Sequence, residues 1–269
     1  MREAVARALA EDVGPLGDLT AALLPAGTTA TAHLIPRETG VLAGRMAASE
    51  AFTQVDPALT IEWLSDDGDW IDAGAPVATV NGALASILTA ERTALNLVGH
   101  LSGIATLTRR YVEAAVPATV RDTRKTTPGL RALEKAAVRA GGGVNHRGSV
   151  SDGILIKDNH LAGMSISDAM ARARELWPGR AVQVECDTVA QVGEALAAGT
   201  DLVLLDNMAP DQVAACVARV AASCLVEVSG GVTLDNIAAY AAVGADLISV
   251  GALTHSAPVL DIGLDLRET

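Results

Sequence analysis

The apolar and polar positions of this chain change rhythm three times. Residues 2–10 carry apolar side chains at helical spacing and predict a short amphipathic helix. The next ten residues, EDVGPLGDLT, hold two Gly, a Pro and three acids and predict a structured loop. Between His33 and Val80, short alternating runs (TAHLIPRETGVLAG, LTIEWLSDDGDWI, PVATVNG) are broken by Gly, Pro and Asp. That pattern predicts a small, largely antiparallel sheet with a helix between Met46 and Val55 packed on it. Residues 84–100, LASILTAERTALNLVGH, have apolar positions at helical spacing and little charge, which predicts a buried helix near a domain or subunit seam.

After Ser102 and Gly103 the spacing predicts strand, loop and helix units. The apolar runs are ATV (118–120), GILIK (153–157), AVQVEC (181–186), DLVLLD (201–206), CLVEV (224–228) and DLISVG (246–251). Helical patterns such as VAQVGEALAAG and DNIAAYAAVGA separate the later ones and end in Gly, as helices do. Glu185, Asp206, Glu227 and Ile248 recur every 21 residues. A βα unit repeated at that pitch predicts a parallel α/β barrel with its site at the carboxyl ends of the strands.

Strand ends then assign chemistry. Lys157, Glu185 and Asp206 each close a run, Ser229-Gly230-Gly231 follows the next, and Val250-Gly251 ends the last. Glycine turns on the final two strands would let backbone N–H groups approach a phosphate closely. Glu185 and Asp206 offer hard oxygen ligands for ribose hydroxyls or for a Mg²⁺ ion carried by a diphosphate. A helix cap or surface acid is the alternative, and it fits Asp206 less well because LVLL precedes it directly.

Composition narrows the classes. A chain of 269 residues, half of them apolar, can bury the core of a barrel plus a smaller domain. Aromatic residues make up only 2%, which argues against a stacking platform for single-stranded nucleic acid. Three cysteines without paired ligand spacing indicate neither a disulfide framework nor a zinc site. MREAVARALAEDVG is no signal peptide and no run of eighteen apolar residues occurs, so a soluble, cytoplasmic protein is expected.

Charge sharpens the picture further. The net charge is -12, yet residues 121–160 hold eight Lys and Arg, including all three lysines, against four acids. A basic stretch in an acidic chain, ending in Gly, Asn and His, predicts a pocket for a small anion and not a nucleic-acid face. Arg131, Lys135 and Arg139 stand four residues apart and predict one solvated helix stripe. Arg124, Lys125, His146, Arg147 and Lys157 instead fall at the ends of apolar runs or in Gly-rich loops, where side chains reach a site. Arg92 in its apolar helix needs a carboxylate or phosphate, either a structural pair such as Glu91 or a ligand. His100 reads as a satisfied buried histidine.

The segments ALAEDVGPLGDLT, AERTALNLVGHLSGIAT, DTRKTTPGLRALEKAAVRAGGGVNHR, ILIKDNH, LLDNM, SGG and ISVGALTHS, spread from residue 8 to 256, closely resemble the quinolinate phosphoribosyltransferase family. The resemblance implies an α/β fold of the type II phosphoribosyltransferase kind. An N-terminal α/β sandwich (1–102) would precede an incomplete parallel α/β barrel (103–259), and the tail 260–269 would pack on the first domain. It also implies a homodimer whose sites lie between subunits. Such enzymes convert quinolinate and phosphoribosyl pyrophosphate, with Mg²⁺, into nicotinate mononucleotide, pyrophosphate and CO₂ in de novo NAD biosynthesis.

Carried over by motif, Arg92 would come from the partner subunit, Arg124, His146, Arg147 and Lys157 would surround the quinolinate carboxylates, and Thr123 would also bind substrate. Lys125 and Lys157 would also meet the donor, and Glu185 and Asp206 its ribose and metal; these four form the implied catalytic set. Ser229, Gly230 and Gly231, with Val250 and Gly251, would hold the 5′-phosphate. No nucleophilic side chain is implied, since the pyridine nitrogen attacks. Three departures stand out: NHRGSV in place of a Gly one residue later, Gln183-Val184-Glu185 in place of E-V-E, and Ala136 in place of an aromatic. Two other readings remain. One is a related phosphoribosyltransferase for another acid, like the relative found near molybdate-transport genes. The other is an idle sensor of phosphoribosyl metabolites, which would be expected to lose Lys157, Glu185 or Asp206.

Overall fold

A computed structural model describes residues 1–267. Its strands, in chain order, are β1 (Thr29–Pro36), β2 (Gly40–Val41), β3 (Thr60–Trp63), β4 (Trp70–Ile71), β5 (Ala78–Ala83), β6 (Thr119–Arg121), β7 (Ile154–Ile156), β8 (Val182–Cys186), β9 (Leu202–Asp206), β10 (Leu225–Ser229), β11 (Leu247–Ser249) and β12 (Ile262–Leu266). The chain groups into two compact units. One comprises residues 1–109, 126–142 and the segment from 253 onward; the other comprises 110–125 and 143–252.

In the first unit β12, β1, β5 and β3 form an antiparallel sheet in that order, and β2 pairs with β4. The alternation in TATAHLIP has the period of a half-buried strand: Ala32 and Leu34 are fully buried, while Thr31 donates to Asn81 Oδ1 at 2.7 Å on the other face. The helix Arg45–Val55 buries Ala47, Ala48, Ala51 and Phe52. The first helix runs Arg2–Val13, three residues past the end expected from its apolar spacing, and in the loop that follows Asp18 accepts from the N–H groups of Thr20 (3.0 Å) and Ala21 (2.9 Å) and from Thr89 Oγ1 (3.0 Å). The Ala21 N–H, then the Thr89 hydroxyl, hold its carboxyl below the usual range. The loop is thus clipped by one side chain to the helix that carries Thr89.

That helix runs Leu84–Ala114, well beyond the break expected at Ser102 and Gly103. Neither residue interrupts it. Ser102 Oγ accepts from the Ala43 N–H at 2.9 Å, and Gly103 lies where any Cβ would run into the Pro258 carbonyl. Both are small so that other backbone can approach, not because the helix stops. A second expectation also changes on the helix Arg131–Ala140. Lys135 is 6% exposed and Arg131 is half-buried, with Nε donating to Thr126 Oγ1 at 2.9 Å; only Arg139 of the three is exposed. The four-residue spacing put them on one face, but packing covers most of it.

The second unit holds a parallel sheet in the order β7-β8-β9-β10-β11-β6, with a single parallel bridge from Arg121 to Val144 beyond β6. Helices Ile166–Leu176, Val189–Ala197, Pro210–Val220 and Ile237–Ala242 alternate with β7 to β11. Among the described residues no pairing joins β7 to β6, so the barrel is incomplete. Register sorts the side chains onto two faces, because paired residues of parallel strands point the same way. One face carries Val120, Val184, Val203, Val226, Leu205, Val228 and Ile248, all buried. The other gathers the polar set: Arg121, Gln183, Glu185, Asp206, Glu227, Ser229 and Ser249. Register also refines the even pitch. Glu185 and Glu227 are both level with Leu204, whereas Asp206 is level with Ser229 and thus two residues further along.

Candidate active site

Most of the residues assigned to a site sit in the second unit on that polar face or just past the strand ends. Lys157 follows β7, and its Nζ forms a very short ion pair with Glu185 Oε2. Its backbone N–H donates to His160 Nδ1 at 3.0 Å, which fixes the turn of DNH. Asp206 ends β9, and its Oδ2 accepts from Asn207 Nδ2 at 2.7 Å. Ser229 ends β10 opposite Asp206, followed by Gly230 and Gly231 at φ 88 and 62. Thr123 Oγ1 accepts from the Lys125 N–H at 3.0 Å, shaping the exposed turn that carries Arg124 and Lys125.

A cavity of about 820 Å³ lies beside β7, lined by Arg124, Arg147, Lys157, His160, Arg180 and Trp177 among others. Arg147 anchors its guanidinium by donating from Nη1 to the Gly153 carbonyl at 3.0 Å. Burial, and then the neighbouring Arg124, lower its pKa; it stays charged at any ordinary pH. Several cations around one cavity can offset the repulsion between a dicarboxylate and a polyphosphate, and guanidinium forks match carboxylates two-point.

His146 turns into the barrel. The Arg147 N–H donates to its Nδ1 at 2.7 Å, so the ring proton resides on Nε2, which lies 3.5 Å from Glu227 Oε1. Glu227 is fully buried. Its Oε2 accepts from Arg121 Nη1 and Gln183 Nε2, both at 2.8 Å, and its Oε1 takes a very short bond from Ser249 Oγ. Asp122, also fully buried, accepts from the His146 N–H (2.7 Å) and Asn145 Nδ2 (2.6 Å). Two buried carboxylates therefore hold the NHR segment, one by its backbone and one by its imidazole. Sequence reasoning named neither as a site residue. A carboxylate inside the apolar run CLVEV was the available signal, because such burial is costly without partners.

The remaining candidates are placed differently. Val250 is 1% exposed, and its N–H donates to the Arg121 carbonyl at 2.9 Å. That donor continues the strand ladder and is not spare for a phosphate, so Val250 serves as backing for Gly251. Arg92 belongs to the first unit and is not among the residues lining the cavity. Its side chain is 64% exposed, with Glu91 at 3.9 Å. His100 is satisfied as expected, with Nε2 2.8 Å from the buried Glu134. Among the described residues no group of three or more His, Cys, Asp and Glu could hold a metal ion.

An incomplete parallel barrel whose strand ends carry paired carboxylates and a glycine turn, beside a strongly cationic cavity, defines an α/β-barrel enzyme for small polyanions. Family models narrow this: the quinolinate phosphoribosyl transferase N-terminal domain matches residues 18–102 and the C-terminal domain matches residues 104–265. The chain belongs to the quinolinate phosphoribosyltransferase family. It is 46% identical to the nicotinate-nucleotide pyrophosphorylase [carboxylating] of Mycobacterium leprae, covering 98% of this chain and 96% of that one. To the probable nicotinate-nucleotide pyrophosphorylase [carboxylating] of Bacillus subtilis it is 42% identical, over 95% and 90% of the two chains. The solved nicotinate-nucleotide pyrophosphorylase from Francisella tularensis superposes with a TM-score of 0.94 at 38% identity, over 99% and 95% of the two chains.

Proposed function

We propose that this chain transfers the phosphoribosyl group of phosphoribosyl pyrophosphate to quinolinate, giving nicotinate mononucleotide, pyrophosphate and CO₂. The observation that carries this reading is the convergence of Arg124, Arg147 and Lys157 on one cavity in a chain of this family. The ribose C1′–oxygen bond breaks and its electrons leave with the pyrophosphate. The pyridine nitrogen lone pair forms the new bond to C1′. The ring, now cationic, accepts the electrons of the adjacent C2–carboxyl bond as CO₂ departs, and a proton then takes the carboxyl group's place at C2.

Each step asks for charge that the site residues supply. Arg124 and Arg147 orient the carboxylates, and Lys157 and Lys125 face the charge that grows on the leaving group. Glu185, held by Lys157, and Asp206 lie toward the ribose, where positive charge develops. Two carboxylates, one already paired, suit only a Mg²⁺ ion that arrives on the diphosphate and keeps most of its water. Bound there, the ion would neutralise leaving-group charge. The same reading includes a domain cut at 102/103, a homodimer in which Arg92 completes the partner's site, and a cytoplasmic setting. Among the described residues no helix is long and apolar enough to cross a membrane. The test is direct: incubate the protein with quinolinate, phosphoribosyl pyrophosphate and Mg²⁺ and assay nicotinate mononucleotide. Its formation in step with pyrophosphate supports the reading, and its absence with both substrates saturating overturns it.

A further inference from the structure

Asn207 has no role in the reading above, yet it stands between two of its parts. Its backbone adopts φ 54, a left-handed conformation that is uncommon outside Gly and is best tolerated by Asn and Asp. That turn swings the side chain back over the strand ends. Nδ2 donates to Asp206 Oδ2 at 2.7 Å, while the backbone N–H donates to the Ser229 carbonyl at 2.9 Å. On its other side Oδ1 occupies the space beside Gly230, so that a Cβ on Gly230 would overlap it and would come within 2.9 Å of the Asn207 nitrogen. Gly230 itself has φ 88, so two adjacent strand ends bend in unusual conformations against each other.

We propose that Asn207 is a positioning residue for the phosphoribosyl donor. It orients the Asp206 carboxylate with one amide hydrogen bond and, by filling the gap beside Gly230, sets the distance between that carboxylate and the glycine turn after β10. A sugar phosphate bound across β9 and β10 must meet both at once, its hydroxyls at Asp206 and its phosphate at backbone N–H groups of the turn. The amide occupies Oδ2 of Asp206, so the other carboxylate oxygen is the one that would accept from a sugar hydroxyl. This inference rests on the proposed function, since it assigns Asn207 to the donor half of that site.

Three variants separate positioning from a plain turn requirement. Asn207→Gly keeps the backbone conformation and deletes the side chain. Asn207→Asp keeps shape and tolerance of positive φ but sets a second carboxylate against Asp206. Asn207→Ala removes the side chain and also disfavours the conformation. Steady-state kinetics should be run with each substrate varied in turn, alongside calorimetric titration of phosphoribosyl pyrophosphate. Positioning predicts that Asn207→Gly raises KM for the donor roughly tenfold, the loss of one hydrogen bond to a charged acceptor, while the quinolinate KM and the unfolding temperature stay at wild-type values. Asn207→Asp should be worse than Asn207→Gly, because repulsion replaces attraction. If Gly and Asp variants take up the donor as wild type does and only Asn207→Ala suffers, Asn207 is a turn residue and the proposal is overturned. A wild-type protein that neither binds the donor nor forms nucleotide overturns the functional reading, and this inference with it; an active wild type with unchanged variants overturns the inference alone.

Discussion

Replacing Arg147 by Lys keeps the charge and removes only the fork. The guanidinium is held by its Nη1 bond to the Gly153 carbonyl, which leaves its remaining N–H groups for the cavity shared with Arg124 and Lys157. A lysine ammonium has one point of charge, so it can serve either Gly153 or a substrate carboxylate, and it cannot make two parallel bonds to the latter. Losing one charge-assisted hydrogen bond costs about 1.5–3 kcal/mol, a factor of roughly 10 to 150 in kcat/KM for quinolinate. The protein should fold normally, because Arg147 is only half-buried. The assay is initial-rate formation of nicotinate mononucleotide with the donor saturating and quinolinate varied, with Arg147→Met as the uncharged reference. Arg147→Lys should fall between wild type and Arg147→Met, with the donor KM unchanged. Near-normal efficiency for Arg147→Lys would mean that charge alone suffices and that the two-point contact does not exist.

Three further outcomes follow from other parts of the molecule. Glu227→Ala should lower unfolding free energy by about 3–5 kcal/mol in chemical denaturation, because it strands Arg121 in the barrel; a loss under about 1 kcal/mol would show that the buried cluster is slack. Burial, then nearby Cys216, pushes the Cys186 thiol up to about 12. Between about pH 8.5 and that value the folded chain retains a proton that the unfolded chain has lost, so this contribution to stability is complete below pH 8.5 and shrinks as pH rises. Cys186→Ala should flatten the fall in unfolding free energy by about one proton, ~1.4 kcal/mol per pH unit; an unchanged slope would contradict this. Arg92→Ala and Lys157→Ala chains, each inactive alone, should recover about a quarter of wild-type activity when co-assembled, since about half the dimers are mixed and each has one intact site. No recovery in a sample shown to contain mixed dimers would place both residues in one chain's site.

The second unit was legible because burial on both faces of a parallel strand leaves a nearly continuous apolar run, as in DLVLLD and DLISVG, while AVQVEC keeps its valines on the buried face and sets Gln183 and Glu185 on the polar one. Residues that close runs, such as Lys157 and Asp206, could be read from position alone. What spacing could not give was level. An even pitch made Glu185, Asp206 and Glu227 equivalent, but βα units of unequal length set Asp206 two residues higher and leave Glu227 buried among Arg121, Gln183 and Ser249. Tertiary packing also overrode local signals. Ser102 and Gly103 look like a helix end but answer a close backbone approach, and Lys135 looks like surface but is covered. Arg92 shows the same limit from the other side, since nothing in a single chain fixes what meets an exposed arginine.

A cationic cavity built for two carboxylates on one ring must distinguish quinolinate from nicotinate, which lacks one of them, and comparing the two is the most direct test. Each should be varied against saturating donor and Mg²⁺, with nucleotide and CO₂ quantified together. Quinolinate should release one CO₂ per nucleotide formed. For nicotinate the expected kcat/KM is lower by at least ~10- to 100-fold, because a missing carboxylate leaves a cavity guanidinium unpaired at about 1–3 kcal/mol or more. Comparable turnover of nicotinate, or nucleotide formed from quinolinate without matching CO₂, would contradict the proposed function.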